Sequence, residues 1–310
     1  MANYAVNVNN LYKKYGNKMV LNDFNWKVPA GEIHALVGNA GSGKTTLLNI
    51  LAGIIRPTNG SCKIFSYRLG SLEAKKVIGY VPAQPAFYSS LNLVDYLVYM
   101  GMISGLNQTV AISRAKTLLK RIDLYSFRWK KPVDLTQGMK IKIALAQSLL
   151  AEPLLLLLDE PVSGLEPVAK MSILELLKGL AGEEEVTVVI TAEHWADVAS
   201  IVDKITILNQ GRVLLSADTP VVKSIFEQGV FALDTTDNSK TFDVLKRMSY
   251  LQQITRTKQG SLLVITEEIE RFRKDLPGVI YKLDQELLTF EQIELTEENL
   301  SNYLFRPEGV

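Results

Sequence analysis

Eight consecutive residues at positions 38–45, GNAGSGKT, carry the clearest chemistry in the sequence. They match the pattern G-x-x-x-x-G-K-[ST], in which glycines let backbone N–H groups turn toward a phosphate. Lys44 is long enough to reach the β- and γ-phosphates of a nucleotide, where it would also serve catalysis, and the hydroxyl of Thr45 is a ligand for Mg²⁺. The predicted nucleotide contacts are therefore Gly38, Asn39, Ala40, Gly41, Ser42, Gly43, Lys44, Thr45 and Thr46.

The flanking residues predict the elements that position this loop. Residues 32–37 (EIHALV) are typical of a buried strand, and residues 46–52 (TLLNILA) of a helix that Gly53 ends. A helix beginning at the loop directs the positive end of its dipole toward a bound anion. The alternative is a glycine-rich turn that matches by chance, and the strand and helix together count against it.

Two adjacent carboxylates, Asp159 and Glu160, follow the apolar run LLLLL at residues 154–158. Such an unbroken run predicts a strand of a parallel sheet that is covered on both faces. Ligands bind at the carboxyl ends of these strands, so we expect Asp159 to hold Mg²⁺ and Glu160 to polarise an attacking water. The alternative is an acidic turn that merely ends the strand, which the nearby phosphate loop disfavours.

Three further side chains are candidates because of their places in the predicted elements. His194 follows a predicted strand at residues 186–191, which favours a contact with phosphate or water over simple packing. Gln84 follows a predicted strand at residues 77–81, and its amide suits a metal-bound water, although a lone loop glutamine is usually just solvated. Tyr15 is a candidate for stacking on adenine, but the pattern alone favours a surface aromatic.

Composition restricts the class of protein. The chain has 310 residues, 47% apolar and 22% charged, with a formal net charge of +1, so no global field favours nucleic acid. The single cysteine, Cys62, excludes a disulfide framework and suits a reducing cytosol. The N-terminal residues MANYAVNVNN lack the features of a signal peptide. The run at 154–158 falls far short of the ~20 residues that span a bilayer, so we expect any membrane role to come through a partner.

The order of the patterns predicts two domains. Residues 1–30 alternate as two short antiparallel strands, residues 86–151 are mostly helical, and residues 204–216 form a hairpin. The pattern changes near Asp218. Beyond it we predict a small split βαβ unit and a terminal helix at 297–305, in the order strand 231–233, helix 242–248, strands 251–257 and 261–266, helix 267–274 and strand 279–283.

These motifs together resemble the ATP-binding subunit of an ABC transporter, over residues 4 to about 217. In this resemblance residues 38–45 correspond to Walker A, and residues 154–160 to Walker B with Glu160 as its catalytic glutamate. Residues 163–166 correspond to the D-loop. The resemblance implies that Tyr15 stacks on adenine, that Gln84 is the Q-loop glutamine that senses Mg²⁺, and that His194 is the switch histidine at the γ-phosphate.

The segment at the signature position departs from the family. It reads LTQGM at residues 135–139 instead of LSGGQ, and the D-loop carries Glu166 in place of aspartate. In the family this segment contacts the ATP of the other subunit, which implies that role for Thr136 and Gly138. Gln137 adds a side chain where a glycine usually lies, and Met139 replaces a polar amide. The half-site supplied in trans therefore looks altered, whereas the half-site supplied in cis looks intact.

The resemblance implies an α/β fold in which a P-loop NTPase core has a mostly parallel sheet, an antiparallel β subdomain and a helical insertion at about 86–151. We expect this domain to span residues 1–217, and a small α+β domain, regulatory or dimerising, to span residues 218–310. The implied cofactors are ATP and Mg²⁺. The implied partners are a transmembrane permease and a second nucleotide-binding subunit, identical or different, with no nucleic acid.

The implied function is that of the ATPase of an exporter, at the cytoplasmic face of the membrane through its partner. Residues 87–93 and 295–300 are similar to exporter-type subunits. One alternative is a weakly hydrolytic, ATP-gated regulatory module in resistance or immunity, which the altered signature favours. A translation or DNA-repair ATPase of the same superfamily is weaker, because neither a second nucleotide domain nor a long coiled-coil insertion is visible in the sequence.

Overall fold

A computed structural model describes residues 4–257, 260–300 and 303 of the chain. The chain divides into two compact units, Met1–Thr219 and Pro220–Val310. The strands of the first unit are β1 (Tyr4–Tyr15), β2 (Lys18–Pro29), β3 (Ile33–Val37), β4 (Asn59–Ile64), β5 (Tyr67–Arg68), β6 (Ile78–Val81), β7 (Leu155–Leu158), β8 (Thr187–Ala192), β9 (Lys204–Asn209) and β10 (Arg212–Asp218). Its helices are α1 (Lys44–Leu51), α2 (Leu72–Lys76), α3 (Leu93–Ile103), α4 (Gln108–Arg121), α5 (Gln137–Leu149) and α6 (Pro167–Glu184).

A six-stranded sheet positions the candidate site. Its order is β10-β9-β3-β8-β7-β6, and the strands from β9 to β6 run parallel. Every residue of β3, β7 and β8 is buried, which explains why these segments are so apolar in sequence. The predicted parallel strands are confirmed. Because β3 and β7 are both neighbours of β8, the phosphate loop and the carboxylates Asp159 and Glu160 emerge at the same edge of the sheet.

An antiparallel sheet of order β2-β1-β4-β5 lies beside the parallel sheet in the first unit. The predicted β1–β2 hairpin is present, although each strand is twelve residues long and not short. One hydrophobic core joins this sheet, α1 and the parallel sheet, with Phe24, Leu36 and Leu47 among its fully buried members. This core fixes the direction in which α1 leaves the phosphate loop.

The predicted helical insertion is also confirmed. Between β6 and β7 the chain forms α3, α4 and α5, each beginning at a polar residue that accepts a backbone hydrogen bond. These capping residues are Asn92, Asn107 and Thr136. None of the helices in the described residues is long and apolar enough to cross a bilayer.

The second unit contains, in chain order, α7 (Thr219–Glu227, which begins at the last residue of the first unit), β11 (Gly229–Thr235), α8 (Asn238–Leu245), β12 (Leu251–Arg256), β13 (Leu262–Thr266), α9 (Ile269–Lys282) and β14 (Leu287–Ile293). Its sheet has the order β12-β13-β11-β14 with all neighbours antiparallel, which is the arrangement of the expected split βαβ unit. A separate core packs α8 and α9 on this sheet around Phe231, Leu262 and Phe272.

In the second unit one predicted strand was wrong and two elements, α7 and β14, were not predicted. Residues 279–283 are not a strand, because α9 continues through Pro277 to Lys282 and buries Phe272, Leu276, Val279 and Ile280 at helical spacing. The last strand is β14, and the helix α7 was not predicted. Of the expected terminal helix, residues 297–299 form a turn and Leu300 and Tyr303 are helical, while residues 301–302 and 304–305 lie outside the described residues.

Candidate nucleotide-binding site

The phosphate loop depends on glycines at points of close approach. Gly43, the residue before α1, has a left-handed φ of 114°, and a Cβ there would lie 3.0 Å from Leu21 Cδ2. A Cβ at Gly38 would lie 2.2 Å from the carbonyl oxygen of Leu208. A Cβ at Gly38 would require a backbone shift, and a Cβ at Gly43 would be crowded at a φ that other residues seldom adopt, so the loop keeps its bare main chain.

The groups that the loop exposes are suited to a polyanion. Lys44 is only 4% exposed, and its Nζ donates to the carbonyl oxygens of Gly38 and Asn39. Within the described chain, the buried Oγ of Ser42 has no hydrogen-bond partner, and no side chain caps the start of α1. A buried ammonium, a hydroxyl without a partner and an uncapped helix N-terminus fit the phosphates of a nucleotide.

Glu160 lies directly beside the phosphate loop. Its Oε1 is 3.1 Å from Lys44 Nζ, and its side chain is 23% exposed. Its backbone has a φ of +46°, in the left-handed region that residues other than glycine seldom occupy. The Glu160 N–H donates to Thr191 Oγ1 at 2.9 Å, which holds the residue in this conformation.

Asp159 is buried at the end of β7, with 2% of its surface exposed. Burial raises the pKa of its carboxyl group, and hydrogen bonds from the Thr191 and Thr45 hydroxyls act in the opposite direction. Among the described residues there is no cluster of three or more histidine, cysteine or acidic side chains that could hold a metal by itself. The Asp159 carboxylate beside the Thr45 hydroxyl fits Mg²⁺. A single carboxylate is enough for this metal, because water molecules and phosphate oxygens supply its other ligands.

Glu160 and His194 line the same cavity, which has a volume of about 240 Å³. His194 directly precedes a short 3₁₀ turn, Trp195–Asp197, and the Asp197 carboxylate accepts a hydrogen bond from Lys170 Nζ of α6. The D-loop residues Ser163 and Gly164 complete one wall of the cavity. This ion pair therefore joins α6 to the segment that follows β8, and both of its residues line the cavity.

Within the described part of the chain, no hydrogen bond, ion pair or ring contact joins the remaining predicted residues to the phosphate loop or the two carboxylates. Tyr15 lies at the end of β1, about half exposed, with Lys13 Nζ 4.6 Å from its ring centroid. Gln84 is exposed, three residues beyond β6. Thr136 caps α5, and a Cβ on Gly138 would lie 3.1 Å from Ala169 Cβ.

Thr191 is one of three site residues that the sequence analysis did not predict. Its side chain accepts from the Glu160 backbone and donates to Asp159 Oδ1 at 2.8 Å. A signal was present, because a threonine ends the apolar segment VTVVIT at a position that is fully buried. Lys170 and Asp197 were also missed, since neither belongs to a recognisable motif.

Comparisons with known proteins agree with this geometry. The ABC transporter family model matches residues 21–163. The lantibiotic transport ATP-binding protein SrtF of Streptococcus pyogenes is 31% identical over 212 residues, which cover 68% of this chain and 90% of SrtF. The bacitracin transport ATP-binding protein BcrA of Enterococcus faecalis is 26% identical over 308 residues, which cover 99% of this chain and 97% of BcrA.

A solved dimeric structure of the ATP-binding cassette MJ0796 with ADP and Pi has a TM-score of 0.63 and 26% identity, covering 69% of this chain and 98% of that one. Fold and site thus define an ATP-binding cassette, a class of P-loop ATPases. The chain belongs to the ABC transporter ATP-binding proteins.

Proposed function

We propose that this chain is the ATPase subunit of an ABC exporter, in which two nucleotide-binding subunits close over two ATP–Mg²⁺. The observation that carries this proposal is the 3.1 Å contact between Lys44 and Glu160, beside the buried Asp159. It supports the proposal because the three groups lie at the same end of the parallel strands, where Lys44 would bind phosphate, Asp159 would hold the metal and Glu160 would orient the water.

In the proposed cycle the loop from Gly38 to Thr46 holds the triphosphate with its N–H groups and Lys44. Thr45 and Asp159 would hold Mg²⁺ with Gln84 in contact, and the metal would neutralise charge on the β- and γ-phosphates. Glu160 orients the attacking water. The hydrogen bond from its N–H to Thr191 holds the Glu160 backbone in place, and this limits the positions that its carboxylate can reach. His194, which lines the same cavity as Glu160, contacts the γ-phosphate, and Tyr15 stacks on adenine.

The test is the variant Glu160→Gln. It should retain ATP binding, accumulate as an ATP-bound dimer and lose about 10²-fold or more of the turnover rate, since general-base groups contribute effects of that size. The matched control is Glu193→Gln, which removes another carboxylate lining the same cavity and should leave turnover within about twofold. Near-normal hydrolysis by Glu160→Gln would remove Glu160 from this role.

The altered signature supports a second candidate, an ATP-gated module with slow hydrolysis. Thr136 and Gly138 would contact the ATP of the second subunit, where Gln137 adds bulk at the first turn of α5 and Met139 lacks an amide. The double variant Gln137→Gly and Met139→Gln should raise the steady-state ATPase rate if the signature limits turnover. A high rate in the wild-type protein, unchanged in the double variant, would favour the motor over the gated module.

The direction of transport is proposed from the relatives. BcrA, which matches nearly the whole chain, is named for bacitracin transport, and SrtF for lantibiotic transport. We therefore infer that the transported compound is an antimicrobial peptide or a similar molecule, and we propose export because removal of such a compound protects the cell. Deletion of the gene in its host should lower resistance to such compounds, and wild type but not Glu160→Gln should restore it. Unchanged resistance to bacitracin and lantibiotics would contradict this inference.

An aromatic cluster on the helical segment supports docking to a membrane partner. Tyr88 and Tyr99 are 54% and 44% exposed, and their ring centroids are 5.6 Å apart. The Tyr96 ring lies 6.3 Å from that of Tyr88 and is buried. We propose that a cytoplasmic helix of the permease packs here, which would hold the chain at the cytoplasmic face of the membrane.

The double variant Tyr88→Ala and Tyr99→Ala should keep its basal ATPase rate and lose copurification with the proposed permease when the two are produced together. Trp129→Ala is the matched control, because this ring in the same helical segment is also exposed. Equal loss of copurification in both variants would argue against a specific docking role for the tyrosines.

A further inference from the structure

A basic groove lies on the antiparallel part of the first unit. It has a volume of about 990 Å³ and is formed by the turn after α1, by β4, by β5, by the segment between β5 and α2, and by Lys75 of α2. Four cationic side chains line it, and no acidic side chain is among the described residues that do so. All four are exposed, namely Arg56, Lys63, Arg68 and Lys75.

Two of these cations face each other across paired strands. Lys63 of β4 lies directly opposite Arg68 of β5 in the antiparallel register. Side chains at such positions have Cβ atoms about 5 Å apart, and like charges there are destabilising. Among the described residues, none of the four cations takes part in an ion pair. The groove therefore concentrates positive charge that the protein does not neutralise by itself, in a chain whose formal net charge is only +1.

The rim adds to this charge. Lys13 Nζ donates to the carbonyl oxygen of Arg56 at 2.8 Å, which places a fifth cationic group beside the groove. Gly70, which also lines the groove, faces open space, because a Cβ there would meet no atom within 4 Å. A volume near 1,000 Å³ is at the upper end for ligand pockets and exceeds what a single phosphate needs.

The groove is separate from the phosphate loop. Gly53 to Pro57 follow the C-terminal end of α1, whereas the phosphate loop precedes its N-terminal end. An eight-residue helix is about 12 Å long, so the length of α1 separates the groove from the phosphate loop, and only Lys13 at the rim also lies against the Tyr15 ring. The proposed ATPase cycle makes no use of these cations.

We propose that the basic groove binds a polyanion with clustered phosphate groups. Several phosphates at once neutralise the Lys63–Arg68 pair together with Arg56 and Lys75, and charge-assisted bonds to guanidinium and ammonium groups are the strong ones. Two sources share this chemistry, a free polyphosphorylated compound and the headgroups of anionic lipid. The binding energy comes largely from charge, so binding weakens as salt is raised.

The experiment uses full-length protein carrying Lys44→Ala, which removes the contribution of the phosphate loop. Calorimetric titration with tripolyphosphate tests the free source. Flotation with vesicles of phosphatidylglycerol, against phosphatidylcholine, tests the lipid source. The groove variant is Lys63→Glu with Arg68→Glu. The control of equal charge change is Lys116→Glu with Lys178→Glu, two exposed lysines outside the groove.

We expect binding of tripolyphosphate or of phosphatidylglycerol vesicles, and about tenfold or greater weakening in the groove variant but not in the control. Binding of tripolyphosphate identifies a free polyphosphorylated compound as the source, and binding of the vesicles identifies anionic lipid. The single variant Arg68→Glu should also lose binding, while its melting temperature stays at or above the parent value because a like-charge pair becomes an opposite-charge pair. Absence of binding to both probes, or equal weakening in the control, would overturn the proposal.

Discussion

At the scale of single residues, Thr191 links the two carboxylates of the site. Its hydroxyl donates to Asp159 Oδ1 at 2.8 Å and accepts the Glu160 N–H at 2.9 Å. One side chain thus orients the carboxylate proposed for the metal and holds the adjacent residue at a positive φ. Because Thr191 is fully buried, no water would replace either hydrogen bond if the hydroxyl were removed.

We predict that Thr191→Val, which keeps the shape but removes the hydroxyl, lowers the ATPase turnover rate by about tenfold or more and leaves the KM for ATP nearly unchanged. The reason is that Asp159 and Glu160 lose their fixed orientation. The control is Thr187→Val at the other end of β8, where a buried hydroxyl accepts from Gly31 N–H far from the carboxylates. Equal loss of turnover in both variants would indicate a general effect on stability.

Cys62 gives a second prediction at this scale. The thiol is buried in the core, and burial raises its pKa to about 12. We expect the folded protein to react with a thiol reagent at pH 8 at least about a hundredfold more slowly than the unfolded protein, because thiolate is the reactive form. The double variant Ser61→Cys with Cys62→Ser moves the thiol to an exposed neighbour and should react rapidly in the folded state. Rapid labelling of wild type would contradict the burial of Cys62.

At the scale of elements, a buried polar cluster connects β2, β3 and β9. Trp26 Nε1 donates to Thr206 Oγ1 at 2.9 Å, and His34 Nε2 lies 2.8 Å from the same oxygen. Burial, with a smaller contribution from the charge of Lys204, lowers the pKa of His34 to about 3. The imidazole is therefore neutral in the folded protein over a pH range in which an unfolded histidine becomes charged.

We predict that His34 destabilises the fold as the pH falls from 6.5 toward 3, since only the unfolded state takes up a proton in that range. At pH 5 the loss from this group is about 2 kcal/mol relative to pH 8. Urea unfolding of wild type and of His34→Gln between pH 8 and pH 5 checks it. The variant should be less stable at pH 8 and show a flatter pH dependence. Parallel curves would mean that His34 does not carry the effect.

The elements of the first unit were largely predictable because each has one dominant signal. Buried parallel strands such as β7 have unbroken apolar sequences, and the phosphate loop has a fixed spacing of glycines. The edge strand β14 lacks such a signal, since its LLTFEQI sequence is mostly exposed and pairs on one side only. The Pro277–Gly278 dipeptide is typical of a helix end, so the second half of α9 was not predicted. In the structure, the burial of Leu276, Val279 and Ile280 outweighs the destabilising effect of a proline within the helix.

The site was predictable only in part, for a different physical reason. Motif residues such as Lys44 and Glu160 have fixed positions relative to strand ends, so their meeting follows from the order of the sheet. The contacts of Thr191 and the Lys170–Asp197 pair depend on the packing of neighbouring loops, which the sequence does not encode as a spacing. The cross-strand pair Lys63–Arg68 required the register of β4 and β5.

At the scale of the whole molecule, the proposed site is composite, and this gives the last prediction. If each ATP lies between the phosphate loop of one subunit and the Thr136 segment of the other, two different defects should complement each other. Lys44→Ala removes the cis half-site. Thr136→Asp keeps a good helix cap for α5 but places a negative charge where the signature would meet the phosphates of the partner's ATP.

Each variant alone should hydrolyse ATP very slowly, because a homodimer of either has no intact composite site. A mixture contains heterodimers in which the phosphate loop of the Thr136→Asp subunit meets an unaltered Thr136 in the Lys44→Ala subunit, so the ATPase rate of the mixture should exceed that of either variant alone. Mixing Lys44→Ala with Glu160→Gln is the control, because both defects are in cis and neither heterodimer site is complete. Recovery only in the first mixture requires catalysis between subunits, whereas equal rates in both mixtures would place the whole active site within one chain.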